Sequence, residues 1–350
     1  MTRIVTLLFT PLLIAAAAGT GAAAQERNAE DNLSGRIEAL ERRLNDAAFT
    51  LDEVLKKVDD MLWFQRVGDV AEIDKVYLAG PPTVKGEETY GISNERHPFR
   101  FWCYVFLPKN LDKGHKYPLL VLPHGGVHAD FTTYYTHIIR ELMEQRYVVV
   151  APEYRGSTGY GKDYWEAIDY GGREVGDAVA ARDWAVENLP AVDPDRVGIL
   201  GWSHGGLISL MVAFDHPDKF KVAYAGVPVS DLLARMGYQT EEYREQFSAP
   251  YHIGKTAYED VDEYRRRSPI WHVEKLKIPL LIHSNTNDRD VNVVEVEQLI
   301  RGLKAAGKNF EYRIYQDAPG GHSFNRMDTR VAKESRKEIY DFLGKYLKQK

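Results

Sequence analysis

The chain has 350 residues, 44% hydrophobic and 27% charged, which allows a sizeable core and is ordinary for a globular protein. A formal net charge of −6 and a pI near 6.0 give no electrostatic footprint for nucleic acid or an anionic membrane. The single cysteine, Cys103, excludes an internal disulfide.

At the N-terminus Arg3 precedes the apolar run Ile4 to Ala18, and three alanines end at Ala24 before Gln25. A basic start, an apolar run and a small-residue junction describe a secretory signal peptide over residues 1–24, cleaved near Ala24. The run is shorter than the ~20 residues a membrane span requires. The expectation is therefore a secreted or periplasmic protein with no membrane contact after cleavage.

Next, Leu33, Ile37, Leu40, Leu44, Ala47, Leu51, Val54, Val58 and Met61 recur at alternating spacings of four and three. That heptad pattern predicts a helical arm over residues 25–66. Thr50 and Glu53 read as a capping box, which predicts a break between Asn45 and Thr50. The arm packs either against the protein's own body or, as a coiled coil, against a second copy; a homodimer is the partner the second option implies.

Residues 67–350 read as one catalytic domain. TVKGEETYGI and PFRFWCYVFLP look like an antiparallel pair, with Cys103 alternating with Phe99, Phe101 and Val105 on one face as a buried, inert thiol. Beyond Lys116, the strand-like runs YPLLVLPH, YVVVAPE, RVGILGW, KVAYAGVPV, PLLIHS and FEYRIYQ alternate with helical stretches. These are Tyr134 to Gln145, Arg173 to Asn188, the residues after Ser203, Val293 to Ala306 and the C-terminal segment. Continuous apolar strands separated by helices predict an α/β fold with a mostly parallel sheet covered on both faces. Its active centre belongs at the carboxyl ends of the strands. Residues 231–269, rich in Tyr, Arg and Glu, interrupt the alternation and read as a cap over that centre or as a solvated excursion.

The motif GWSHGG, residues 201–206, lies between the strand RVGIL and the helical LISLMVAF. That is the setting of a nucleophile elbow, in which a sharp turn exposes Ser203 Oγ and aims helix N-terminal N–H groups at a reacting carbonyl. A serine needs a base, and the base an orienting acid. Downstream, PLLIHS runs into NTNDRDVNV and FEYRIYQ into DAPGGHSF, so Asp288 and His322 each follow a strand. The order Ser203, Asp288, His322 is that of the α/β hydrolases. His124 and His128 are four apart, but two glycines separate them and no HExxH pattern exists; GSTGYG lacks the Lys-Ser/Thr ending of a P-loop. Neither motif calls for a metal or a cofactor.

Taken together, YPLLVLPHGG, VVAPEYRGSTGYG, VDPDRVGILGWSHGG, EYRRRSPIWHVEKLKIPLLIH, NDRDVNVVEVEQLIRGLKAAGK and the His322 loop resemble the catalytic domain of the prolyl oligopeptidase family of serine peptidases, in particular its acylaminoacyl-peptidase-like branch. The resemblance implies an α/β-hydrolase fold with an eight-stranded sheet, a serine hydrolase acting on peptide or acyl-peptide bonds, and no cofactor. It favours Asp288 over Asp290 as the acid, because the acid-to-valine spacing of the family motif is kept through Val291. It assigns the oxyanion hole to the N–H groups of Gly126 and His204, gives His124 the task of holding that loop, and assigns the substrate pocket to Tyr154, Trp202, Leu232 and Val291. Two departures stand out. Many members carry a large N-terminal β-propeller, for which residues 25–83 are too few, and Leu232 stands where proline-cleaving relatives commonly have Trp. A carboxylesterase acting on small or carbohydrate-linked esters is therefore the alternative, and a silent scaffold the third reading.

Overall fold

The computed structural model describes residues 10–82 and 98–348. In its central strands, successive side chains point to opposite faces, and both faces are apolar and buried. Leu119 and Val121 enter one core while Leu120 and Leu122 enter the other, and Val148 and Val150 alternate with Val149 in the same way. A strand buried on both faces must be covered twice, and the helices do this.

The strands are β1 (Ala71–Pro82), β2 (Pro98–Pro108), β3 (Tyr117–Val121), β4 (Val148–Glu153), β5 (Val192–Trp202), β6 (Val222–Gly226), β7 (Leu280–Asn285) and β8 (Glu311–Tyr315). They form one eight-stranded sheet in the order β1-β2-β4-β3-β5-β6-β7-β8. The pairs β1–β2 and β2–β4 are antiparallel, and every pair from β4 to β8 is parallel. The helices are α1 (Thr10–Val67), α2 (Thr136–Glu144), α3 (Lys162–Glu166), α4 (Arg173–Asn188), α5 (His204–Asp215), α6 (Leu232–Tyr238), α7 (Glu241–Ser248), α8 (Val261–Arg266), α9 (Val293–Ala305) and α10 (Arg330–Leu347). On one face Ala178 of α4, Leu207 of α5 and Val296 of α9 share a core with Phe101 and Val150. On the other, Trp63 of α1, Ile138 of α2 and Leu343 of α10 pack with Phe106 and Val149. Cys103 is fully buried in the first core, and burial pushes its thiol pKa up, so it is inert.

Three sequence expectations change. The antiparallel partner of β2 is β1, with Val76 opposite Cys103 and Tyr77 opposite Trp102, while TVKGEETYGI lies outside the described residues. The helical arm is present as α1, but it runs without a break. Thr50 Oγ1 donates to the Asp46 carbonyl at 2.8 Å, so the hydroxyl caps nothing and is satisfied within the helix. The chain forms two units, residues 1–51 and 52–350, so the body begins within α1 rather than after it. In the first unit Leu33, Ile37, Leu40 and Leu44 are exposed. In the second, the last turns of α1 pack through Lys56, Trp63 and Val67, whereas the heptad positions Val54, Val58 and Met61 face outward. The Trp63 ring stacks on Phe131 at 5.4 Å and meets Phe106 edge-on at 5.0 Å.

Candidate active site

Because β5, β6, β7 and β8 are adjacent and parallel, the loops that follow them emerge along one edge of the sheet. Ser203 follows β5, Asp288 follows β7 and His322 follows β8.

Ser203 has φ 60° and ψ −120°, a conformation costly for a residue with a Cβ and held here on both sides. Its N–H donates to the Gly226 carbonyl on β6 (2.9 Å), and its carbonyl accepts from Leu207 in α5 (3.0 Å). The turn is too tight for larger neighbours. A Cβ on Gly201 would lie 2.3 Å from the Gly205 carbonyl oxygen, and one on Gly205 would lie 2.2 Å from that of Pro123. Gly201 and Gly205 of GWSHGG are therefore set by backbone contact.

His322 sits in a short turn, Gly321–Ser323, where Nδ1 bonds Asp288 Oδ2 at 2.7 Å. The other carboxylate oxygen, Asp288 Oδ1, accepts the N–H groups of Asp290 and Val291, both at 2.9 Å. Asp290 pairs with Arg235 of α6 through Oδ1 (2.8 Å), and its Oδ2 lies 3.6 Å from His322 Nε2. Burial works against the Asp290 charge, but His322 and Arg235 outweigh it and hold that carboxyl below its ordinary pKa. Among the described residues no hydrogen bond joins Ser203 Oγ to His322; such bonds are commonly long before substrate binds. Asn285, fully buried at the end of β7, staples the two loops together. Its Oδ1 accepts from Ala318 N (3.0 Å), and its Nδ2 donates to the Ala318 and Gly321 carbonyls (2.9 and 3.1 Å).

The HGG loop lies against the elbow, since a Cβ on Gly125 would come 2.9 Å from the Trp202 carbonyl oxygen and 3.3 Å from Ser203 Cβ. Gly126 takes φ +94°, open to glycine alone at little cost, and its carbonyl pairs with His204 Nδ1 at 2.9 Å. As the first residue of α5, His204 has an N–H without an intrahelical acceptor. Its ring is fully buried, stacked on Tyr170 at 3.7 Å, with Nε2 3.1 Å from Glu174 Oε1. His124 is buried, stacked on Tyr154 at 4.2 Å, with Nε2 2.9 Å from Ser157 Oγ. His128 turns instead to Trp165, stacking at 3.6 Å, and burial lowers its pKa to about 4.

The four residues assigned to a substrate pocket are all fully buried. The Tyr154 hydroxyl donates to the His124 carbonyl (2.8 Å), Trp202 packs edge-on against Tyr224 in the core, Leu232 opens α6, and Val291 lies behind the Asp288 carboxylate. Trp202 is thus a core residue, because the strand's alternation turns it away from the elbow. What stands exposed beside His322 is Asp290, 52% accessible. Sequence reading missed Glu153, Glu174, Asn285 and Arg235; a charged residue ending the apolar run VVVAPE was the one local signal available.

An eight-stranded, mostly parallel sheet with a strained serine between a strand and a helix, and an Asp–His pair at the same edge, is the architecture of the α/β-hydrolase fold. The family model described as "Prolyl oligopeptidase family" matches residues 133–350, and the chain belongs to that family. It is 30% identical over 254 residues to the acylamino-acid-releasing enzyme of Arabidopsis thaliana, covering 70% of this chain and 32% of that protein. It is 29% identical over 225 residues to the "Uncharacterized peptidase YuxL" of Bacillus subtilis, covering 64% and 33%. The chain thus spans about a third of the length of these curated relatives. Among solved structures, acylaminoacyl peptidase from Pyrococcus horikoshii superimposes with a TM-score of 0.67 at 20% identity, over 80% of this chain and 43% of that one.

Proposed function

We propose that this peptidase-family chain is an exported serine hydrolase that cleaves peptide or acyl-peptide bonds through Ser203, His322 and Asp288. The observation that carries the reading is the 2.7 Å bond from Asp288 to His322 Nδ1 at the same sheet edge as the strained Ser203. With Nδ1–H donated to a carboxylate, Nε2 is the free base. Ser203 Oγ attacks the carbonyl carbon, its proton passes to Nε2, and the oxyanion forms against the N–H groups of Gly126 and His204. His322 then gives the proton to the departing amine, the C–N bond breaks, and water releases the acyl-enzyme by the same steps. The name of the Arabidopsis thaliana relative, acylamino-acid-releasing enzyme, supports the peptide class.

The test sets N-acyl-aminoacyl and peptidyl anilides beside acetyl and aryl esters, with Ser203→Ala as control. Serine-dependent kcat/KM on the anilides is expected. Turnover of esters alone would replace the peptidase reading with a carboxylesterase, and wild-type rates in Ser203→Ala would remove the nucleophile assignment. Export rests on the basic and apolar leader and predicts a mature N-terminus near Gln25; recovery of chains that retain Met1 would refute it. The exposed Leu33, Ile37, Leu40 and Leu44 support a homodimer built on the arm. No helix among the described residues is long and apolar enough to cross a membrane.

A further inference from the structure

The carboxyl end of β4 carries Glu153, a fully buried carboxylate in an otherwise apolar strand. Burying that charge is costly unless it is paired and its lone pairs are filled. The partner comes from α1: Lys56 Nζ lies 2.8 Å from Glu153 Oε1, and Lys56 is itself only 3% exposed. The same ammonium donates to the Phe131 carbonyl (2.7 Å) and the Tyr104 hydroxyl (2.6 Å), and lies 3.3 Å from Asp130 and 3.4 Å from Asp60. Burial disfavours both charges, yet their attraction wins, holding the Glu153 carboxyl at about 2 and Lys56 above its ordinary value.

These contacts converge on the HGG loop. Both oxygens of Glu153 accept the Phe131 N–H (3.2 and 3.1 Å), and Oε2 faces His124 Nε2 at 3.4 Å. Asp130 accepts from Thr158 Oγ1 at 2.8 Å. A Cβ on Gly159 would lie 2.6 Å from Lys56 Cβ, so the loop before α3 wraps the lysine stem. The segment 124–131 is thereby held at its start through His124 and at its end through Asp130 and Phe131, with Gly126 between.

We propose that Lys56 is a positioning residue for hydrolysis: acting through Glu153, Asp130 and the Phe131 carbonyl, it keeps the Gly126 N–H in register with Ser203. The inference rests on the hydrolase reading above. A lysine that merely neutralised Glu153 would, when lost, reduce the number of folded molecules and leave each folded molecule as fast as before. A positioning lysine slows the chemistry in molecules that are still folded.

A fluorophosphonate separates the two. Ser203 Oγ bonds phosphorus as its proton passes to His322, the P–F bond breaks and fluoride leaves, and the P=O oxygen occupies the place of the oxyanion. The labelling rate constant, scaled to the saturating label, is compared in wild type, Ser203→Ala, Lys56→Met and Lys56→Met/Glu153→Gln. The double variant removes the fully buried Glu153 carboxylate together with its lysine; of the carboxylates left, Asp130 and Asp60 are partly exposed, and Asp60 keeps Lys75. In both Lys56 variants we expect labelling per reactive site to fall about 10- to 100-fold, less than the ~10²–10³ lost on deleting an oxyanion donor, because the donor is displaced rather than removed. On anilides kcat should fall in parallel while KM stays within about twofold. Wild-type labelling with an unchanged rate in either Lys56 variant overturns the inference and leaves the hydrolase reading standing. If wild-type Ser203 is not labelled, the hydrolase reading falls and this inference falls with it.

Discussion

Asp288→Asn tests the reaction scheme through a constraint peculiar to this site. Asp288 Oδ1 already accepts two backbone N–H groups, from Asp290 and Val291, each at 2.9 Å. In the variant the amide oxygen must stay there, since turning the NH₂ toward two donors would strand all three. The NH₂ then faces His322 Nδ1, which must become an acceptor, and the imidazole proton moves to Nε2. A protonated Nε2 cannot take the serine proton. The equivalent tautomer error in a serine protease costs ~10⁴ in kcat, which is about 5.4 kcal/mol of barrier. Stability should change by less than about 1 kcal/mol, because both backbone bonds to the side chain survive. Asp290→Asn is the internal comparison. It faces the other ring nitrogen at 3.6 Å and is half exposed, so its loss should cost no more than ~1 kcal/mol, about fivefold. Both are measured as serine-dependent anilide or ester turnover per labelled site. A kcat for Asp288→Asn within tenfold of wild type, or a larger loss in Asp290→Asn, would refute the assignment of the acid.

Gly205→Ala would push a methyl to 2.2 Å from the Pro123 carbonyl oxygen and 2.8 Å from that of His124, so we expect a loss of ~1–3 kcal/mol or more in denaturant melts together with slower labelling of Ser203. Its control, Gly302→Ala in α9, meets nothing nearer than 3.6 Å and should stabilise by ~0.5–1 kcal/mol; destabilisation there would discredit the contact argument. His283 is fully buried beside Tyr224 and Tyr315, and burial first, then Arg313, lowers its pKa to about 3. The unfolded chain therefore takes up this proton first, and stability that is whole above the usual histidine value of ~6.5 is lost as pH falls toward 3, by up to ~5 kcal/mol. His283→Gln should flatten the fall of Tm between pH 6.5 and 4, and an unchanged slope would contradict the burial argument. Ile37→Asp with Leu44→Asp should halve the mass seen by sedimentation equilibrium if the arm joins two copies; an unchanged mass would dismiss the arm as the interface.

Much of this molecule is written in local pattern. The alternation of apolar strands and helices beyond Lys116 follows from residue periodicity, and α4 spans Arg173–Asn188, as that periodicity predicts. The elbow is local at Gly201, where a Cβ would meet the Gly205 carbonyl four residues on, whereas Gly205 is held to glycine by the distant Pro123 and His124 carbonyls. Other features depend on which segments meet in space. The partner of β2 is β1, and no pattern within either strand specifies that pairing. Asp288 and Asp290 follow the same strand, and only the acid-to-valine spacing of the family resemblance favoured Asp288; in the fold one carboxylate is captured by its own backbone beside Nδ1 and the other by Arg235. Lys56 falls between the heptad positions Val54 and Val58 and carries no signal of its own in the sequence; only the packing of the last turns of α1 near β4 makes it the counter-charge of Glu153. Periodicity and turn geometry are properties of neighbours along the chain, so the sequence by itself determined the elements, the elbow and the order of the candidate triad. Buried charges find partners only when distant segments close around them, so tertiary structure decided which carboxylate faces His322 and which lysine holds the loop beside Ser203.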